Sequence, residues 1–168
     1  MDVSAVYVDL YGRIPTIVHE VVEGLTPEQL RQQPGDGTNP IGWLVWHTAR
    51  VQDAYGAELL SGQQLWETGD WAARFGLDPD PGNHGYGHSA ADVAKVAPES
   101  AQVCADYMTA AHDRFCEFLR GLSGADLDNV VDESYDPPVT LGVRLVSIAE
   151  DGLQHAGQAA YLRGLLLG

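Results

Sequence analysis

Lysine is almost missing from this chain: Lys95 is the only one, and nine basic residues face twenty-four acidic ones, a formal net charge of −15. A surface this anionic repels phosphate backbones and the anionic inner leaflet of membranes, so neither nucleic acid nor a membrane is an expected partner. Long apolar runs are missing too. No stretch of about 18 uninterrupted apolar residues occurs, which excludes a membrane-spanning helix. The opening Met1-Asp2-Val3-Ser4 lacks the basic region and apolar run of a signal peptide. Cysteine is limited to Cys104 and Cys116, which share one helical pattern. Twelve residues of helix separate them by about 18 Å, far beyond disulfide reach. Two unpaired thiols fit a reducing cytoplasm, the expected location. Strand signals are nearly absent, since no alternating run of β-branched residues exceeds a few positions.

What is present is helical periodicity. With 168 residues and 45% hydrophobic content, the chain suits one domain, 1–168, with a core of its own. Tyr7, Leu10, Ile14, Ile17, Val21 and Gly24 recur at three- and four-residue steps, one face of a helix that Pro15 should kink or split. Thr26-Pro27 and Asn39-Pro40 each read as a cap followed by proline at the first helical position. The first opens a short helix to about Arg31 and the second a long one with Ile41, Leu44, Val51, Ala54 and Tyr55 inward. Cys104, Met108, Ala111, Phe115, Phe118 and Leu122 form the seam of a third long helix. A fourth follows Asp136-Pro137-Pro138, with Leu141, Leu145, Ile148, Ala159, Leu162 and Leu166 inward. The expected fold is all-α, with long helices near 5–24, 39–61, 99–121 and 141–166. Between the second and third lies a Gly-, Trp-, Asp- and Pro-rich connection, 62–98, with at most two short helices (about 64–74 and 90–96). A connection this long is more often functional than accidental.

The chemistry concentrates on three residues. His47 lies on the buried stripe of the second helix, between Leu44 and Val51, and His155 on the inner face of the fourth. Asp151 precedes His155 by four residues, so both side chains point at one spot. Two imidazoles and a carboxylate from two rigid helices would leave coordination positions open on a divalent metal. A buried histidine is more often a core residue bonded to a backbone carbonyl, and D-x-x-x-H arises by chance, so spacing alone leaves both readings open.

Two segments carry a resemblance. Leu25-Thr26-Pro27-Glu28-Gln29-Leu30 with Arg31 and Pro34, followed by Asn39-Pro40-Ile41-Gly42-Trp43-Leu44-Val45-Trp46-His47, resembles the first half of a DinB-like protein. Val146-Ser147-Ile148-Ala149-Glu150-Asp151-Gly152-Leu153-Gln154-His155-Ala156-Gly157-Gln158 resembles that family's last metal-binding helix. The resemblance implies a four-helix bundle holding a divalent metal (zinc, nickel, manganese or iron) through three histidines, one on the second helix and two, as H-x-x-x-H, on the fourth. His47 matches the first and His155 the last; Asp151 stands where the family has its middle histidine. A carboxylate ligates the same metals, which would keep the site with an altered preference; weakening or loss is the other outcome. Family members include bacillithiol- and mycothiol-dependent S-transferases and isomerases, in which the metal activates the cofactor thiol toward a small-molecule electrophile. The scarcity of lysine beside abundant Ala, Gly, Val, Asp and Arg resembles an actinobacterial proteome, where mycothiol is the low-molecular-weight thiol. The leading expectation is therefore a metal-dependent thiol S-transferase or isomerase. A non-catalytic binding or stress-response module and a metal-dependent hydrolase are the alternatives, and a homodimer is a candidate assembly.

Other residues have competing readings. His84 and His88, flanking Gly85-Tyr86-Gly87, are either substrate or acid–base groups at the mouth of the site or ordinary loop histidines. Trp66, Trp71 and Phe75 either anchor the connection or line a pocket, and with Tyr86 they are expected to be buried. Arg50 either orients a carboxylate substrate or pairs with an acidic neighbour, the reading favoured here. His19 is expected in solvent, and His112 lies beside the third helix's seam.

Overall fold

The computed structural model describes residues 1–168. Its helices are α1 (Val3–Val22), α2 (Pro27–Arg31), α3 (Ile41–Leu59), α4 (Leu65–Thr68), α5 (Trp71–Arg74), α6 (Ala90–Val93), α7 (Ala101–Arg120) and α8 (Leu141–Leu167). A 3₁₀ turn at Gly124–Asp128 and two short strands, β1 (Val130–Asp132) and β2 (Val139–Thr140), connect α7 to α8. The protein is a bundle of four long helices, α1, α3, α7 and α8, with only this minimal sheet beside them. α3 and α1 each pack against both α7 and α8, so α1 and α3 face each other across the diagonal.

Side-chain caps start most of the long helices. The Asp2, Ser100 and Thr140 side chains accept the amides of Ala5, Val103 and Val143, satisfying donors that the first turn leaves without partners. α3 is the exception and starts one residue later than the proline signal predicts. Pro40 itself occupies the cap position in extended conformation, with no side-chain cap, and its carbonyl accepts from Leu44 N–H. Pro15 does not split α1, which runs unbroken from Val3 to Val22. Tyr11, Ile14, Val18 and Val21 are buried against α7 and α8, and that burial holds the helix through the one amide bond a proline removes.

The buried seams drift from strict spacing because 3.6 residues per turn do not match a 3.5 repeat. On α7, Cys104, Met108, Ala111 and Phe115 are buried as expected, but Leu119 replaces the half-buried Phe118. On α1, Tyr11 is fully buried, as is Ile14. The Tyr11 ring packs 4.9 Å from Phe115, and its hydroxyl donates to the Leu145 carbonyl at 2.6 Å, which ties α1 to α7 and α8. The small β1–β2 hairpin (Val130 opposite Thr140) is absent from the sequence expectation, being too short for a periodic signal. Arg144 holds it to α8 through Asp132 at 2.9 Å.

The 62–98 connection is bonded to the bundle by a buried polar cluster on α3. Extended backbone at Gly69 divides its first expected helix into α4 and α5. Arg50 and Asp53, one turn apart, are both fully buried. Asp53 accepts the Leu65 and Trp66 amides at 2.8 Å each and the Tyr107 hydroxyl at 2.9 Å, so one carboxylate caps the start of α4 and anchors α7. Arg50 donates to Asp53, Tyr107, the Gln64 side chain and the carbonyls of Pro81 and Asn83. Its five N–H groups are thereby all engaged. Arg50 thus pairs with its acidic neighbour and has no donor left to orient a substrate.

Removing Asp53 would leave the Arg50 charge buried without its counter-ion and strip four donors of their acceptor. Asp53→Ala is expected to lower unfolding free energy by about 3–5 kcal/mol in denaturant titrations. Asp9→Ala, which breaks an exposed pair with Arg13, should leave the melting temperature unchanged.

Candidate metal centre

α3 and α8 bring His47, Asp151 and His155 together where they pack. One ligand atom from each lies within 4.8 Å of the other two, so the three could hold a metal ion. His47 Nε2 and His155 Nε2 stand 3.5 and 3.4 Å from the same Asp151 oxygen, Oδ1. The other carboxylate oxygen, Oδ2, is buried with no hydrogen-bond partner. Gly152 permits the close approach of α8: a Cβ there would stand 2.8 Å from Ile14 Cδ1 and 3.6 Å from Thr48 Cγ2.

Each histidine is oriented from behind. His47 Nδ1 lies 2.5 Å from the His84 carbonyl, an acceptor only, so Nδ1 carries the proton and donates it. His155 Nδ1 faces the Gln158 side-chain oxygen at 2.9 Å in the same sense. Both imidazoles are thereby set with Nε2 toward Asp151, the tautomer that metal-ligating histidines take. Trp43 stacks on His47 with ring centroids 4.8 Å apart and meets His155 edge-on at 6.0 Å, which fixes both ring planes. Burial pushes the Asp151 carboxyl upward, but the neighbouring His155 and His47 imidazoles outweigh it and hold the group well below the ordinary carboxylate range. The Asp151 carboxylate and Gln158 raise His155 against its burial.

The connection covers this site with residues 83–88 rather than with its aromatics. Gly85 is buried at φ +97°, and a Cβ there would lie 2.8 Å from His47 Nδ1, 2.9 Å from Trp46 and 3.1 Å from Trp43. His88 accepts from Trp43 Nε1 at 3.1 Å and bonds Asn83 Oδ1 at 2.8 Å, so both ring nitrogens are occupied and the residue is structural. Burial lowers its pKa, as it lowers that of His84. His84 contributes its carbonyl to the centre. Its acid–base reading gains no partner, and a backbone role leaves no mark in side-chain identity. Trp66 and Phe75 are fully buried around Tyr107, with Trp71 5.2 Å from the same ring, which makes all three anchors. Tyr86 corrects the expectation that all four aromatics are buried: it is 88% exposed, because Gly85 and Gly87, both at positive φ, turn it outward. His19 is exposed and bonds Thr109, and His112 lies 3.3 Å from Cys116 Sγ, away from the cluster. Gln158 joins the site as an orienting group absent from the sequence expectation; its position three residues after His155 on one helix is the signal for it.

A helical bundle with a histidine–carboxylate cluster between facing helices defines the class. The chain belongs to the DinB superfamily, whose pattern matches residues 11–159. It is similar over its whole length to a conserved protein of Enterococcus faecalis known from a crystal structure, at 30% identity and a TM-score of 0.90, covering 100% of this chain and 99% of that one. No curated protein matches it. No helix is long and apolar enough to cross a membrane.

The contrast between anchors and rim is measurable. Trp66→Ala should cost about 3–5 kcal/mol of stability, while Tyr86→Ala should leave the denaturation midpoint where it is.

Proposed function

We propose that this protein is a metal-dependent enzyme acting on small molecules, with His47, Asp151 and His155 holding a divalent cation. The reading rests chiefly on one observation: two oriented Nε2 lone pairs and a carboxylate oxygen converge with no proton donor supplied among them. Acceptors gathered in this way repel one another unless a cation or added protons lie between them. The orphaned Asp151 Oδ2 also fits, since a metal would give this buried oxygen the partner it lacks. The donor set is two nitrogens and one oxygen type, which suits zinc, nickel, manganese or iron and leaves coordination positions for a substrate.

A bound divalent cation would supply nucleophile activation, lowering the pKa of a thiol or water brought to it. The chain's own residues then divide the remaining work. Asp151 offsets the cation's charge, Trp43 and the 83–88 segment exclude water from one side, and the half-exposed edge at His155 admits a ligand. For the reaction, thiol transfer is the favoured class: a thiolate displaces a leaving group from an electrophilic carbon, forming a C–S bond while the leaving group departs with its electron pair. The favoured co-substrate is mycothiol, supported by composition and family resemblance.

The test is metal content and linkage. Protein purified without added metal should carry close to one equivalent of a transition metal by elemental analysis. Metal at a hundredfold its Kd stabilises the folded state by about 2.7 kcal/mol, so a chelator should lower the melting temperature of wild type and of Asp151→His. Asp151→Ala should be indifferent to chelator and to added zinc, nickel, manganese and iron. Identical melting of wild type and Asp151→Ala under all these conditions would make His47 and His155 core histidines and leave a non-catalytic module.

A further inference from the structure

The guanidinium of Arg50 does not touch His47, yet the two are one segment apart. Arg50 lies one turn along α3 from His47 and grips the 81–83 backbone at two places, Pro81 carbonyl at 3.1 Å and Asn83 carbonyl at 3.0 Å. The next carbonyl, that of His84, is the one against His47 Nδ1. Asn83 is held a second time, through its side chain, by His88, and His88 is bonded to Trp43. Gly85 then lies flat against His47, Trp46 and Trp43 in a left-handed conformation that leaves no room for a Cβ. Within α3, Trp43 stacks on the His47 ring and sets its plane, but the acceptor that fixes which nitrogen carries the proton comes from residues 81–85, outside the helix.

We propose that Arg50 is a positioning residue for His47: it clamps the 81–84 backbone so that the His84 carbonyl keeps the imidazole proton on Nδ1 and turns Nε2 toward Asp151 and His155. This deepens the metal reading above and rests on it for its purpose, although the orientation of His47 can be measured without metal. A lysine at position 50 would keep a charge beside Asp53, but a single ammonium cannot reach five acceptors in a planar fork, so the clamp on Pro81 and Asn83 loosens. Gly85→Ala attacks the same contact from the other side, forcing the segment away from His47 Nδ1. Gly87→Ala is the matched control, because Gly87 also has positive φ (+75°) but open space around a Cβ. It places a Cβ on a positive-φ backbone without the clash.

The experiment uses protein with ¹⁵N-labelled histidine, stripped of metal, at about pH 8, where an ordinary imidazole is neutral. Wild type and Gly87→Ala should show a slowly exchanging His47 Nδ1–H. Arg50→Lys and Gly85→Ala should lose it, and their affinity for zinc, titrated directly, should fall about 10–100-fold. A merely structural role would lower the melting temperature of the folded variants and move neither reading. If both variants fold, keep the protected Nδ1–H and bind zinc as wild type does, the positioning role is overturned. Gly85→Ala leaves Arg50 intact, so the inference stays refutable should Arg50→Lys fail to fold. Loss of the protected proton in the variants, in a wild type that takes up no zinc, nickel, manganese or iron, supports the positioning and removes the function proposed above.

Discussion

A buried charge pair without enough partners would unfold a bundle of this size, and the way Arg50 and Asp53 are satisfied organises the rest of the molecule. Beyond each other, neither side chain finds its partners within α3. Asp53 reaches the start of α4 and Tyr107 on α7, while Arg50 reaches Gln64, Pro81 and Asn83. Desolvating both ions is costly, so the pair is tolerable only when every donor and acceptor is met. The irregular connection meets them. The same bonds that neutralise the burial cost therefore hold some twenty residues of loop against the helices, and that loop supplies the group behind His47.

The candidate centre inherits an asymmetry from this arrangement. His155 and Asp151 come from one turn of α8, and Gln158 on the next turn orients His155, so that half of the site is local to one helix. His47 depends on a carbonyl thirty-seven residues away in sequence. A helix gives i, i+4 geometry for free; a loop carbonyl must be delivered by tertiary bonds. The two halves should differ in robustness, the α8 half persisting wherever the helix forms and the α3 half only where the connection is seated.

Four histidines lie outside the cluster and show how much context decides. His88 has both nitrogens occupied between Trp43 and Asn83, and His84 acts through its backbone. His112 neighbours Cys116, and His19 bonds Thr109. All six histidines have the same intrinsic chemistry. Only His47 and His155 turn Nε2 toward a carboxylate while an acceptor holds Nδ1.

By itself the sequence determined the four long helices and the three cluster residues, because helical periodicity and i, i+4 spacing are local properties written in neighbouring residues. Its departures there were local too: Pro15 does not split α1, since burial of an apolar face outweighs one missing amide bond, and α3 starts one residue late because Pro40 takes the extended cap position. Tertiary structure alone decided the path of residues 62–98, the outward turn of Tyr86 between two glycines, the engagement of all five Arg50 donors and the use of the His84 carbonyl. These depend on partners far apart in the chain, and one sequence holds no periodic signal for a backbone carbonyl or for a buried ion pair that reaches across helices. The pairing of Arg50 with an acidic neighbour was legible from the chain's excess of acidic residues. That this pair also seats the segment behind His47 was not, because the link runs through the backbone of Pro81, Asn83 and His84, where side-chain identity says little.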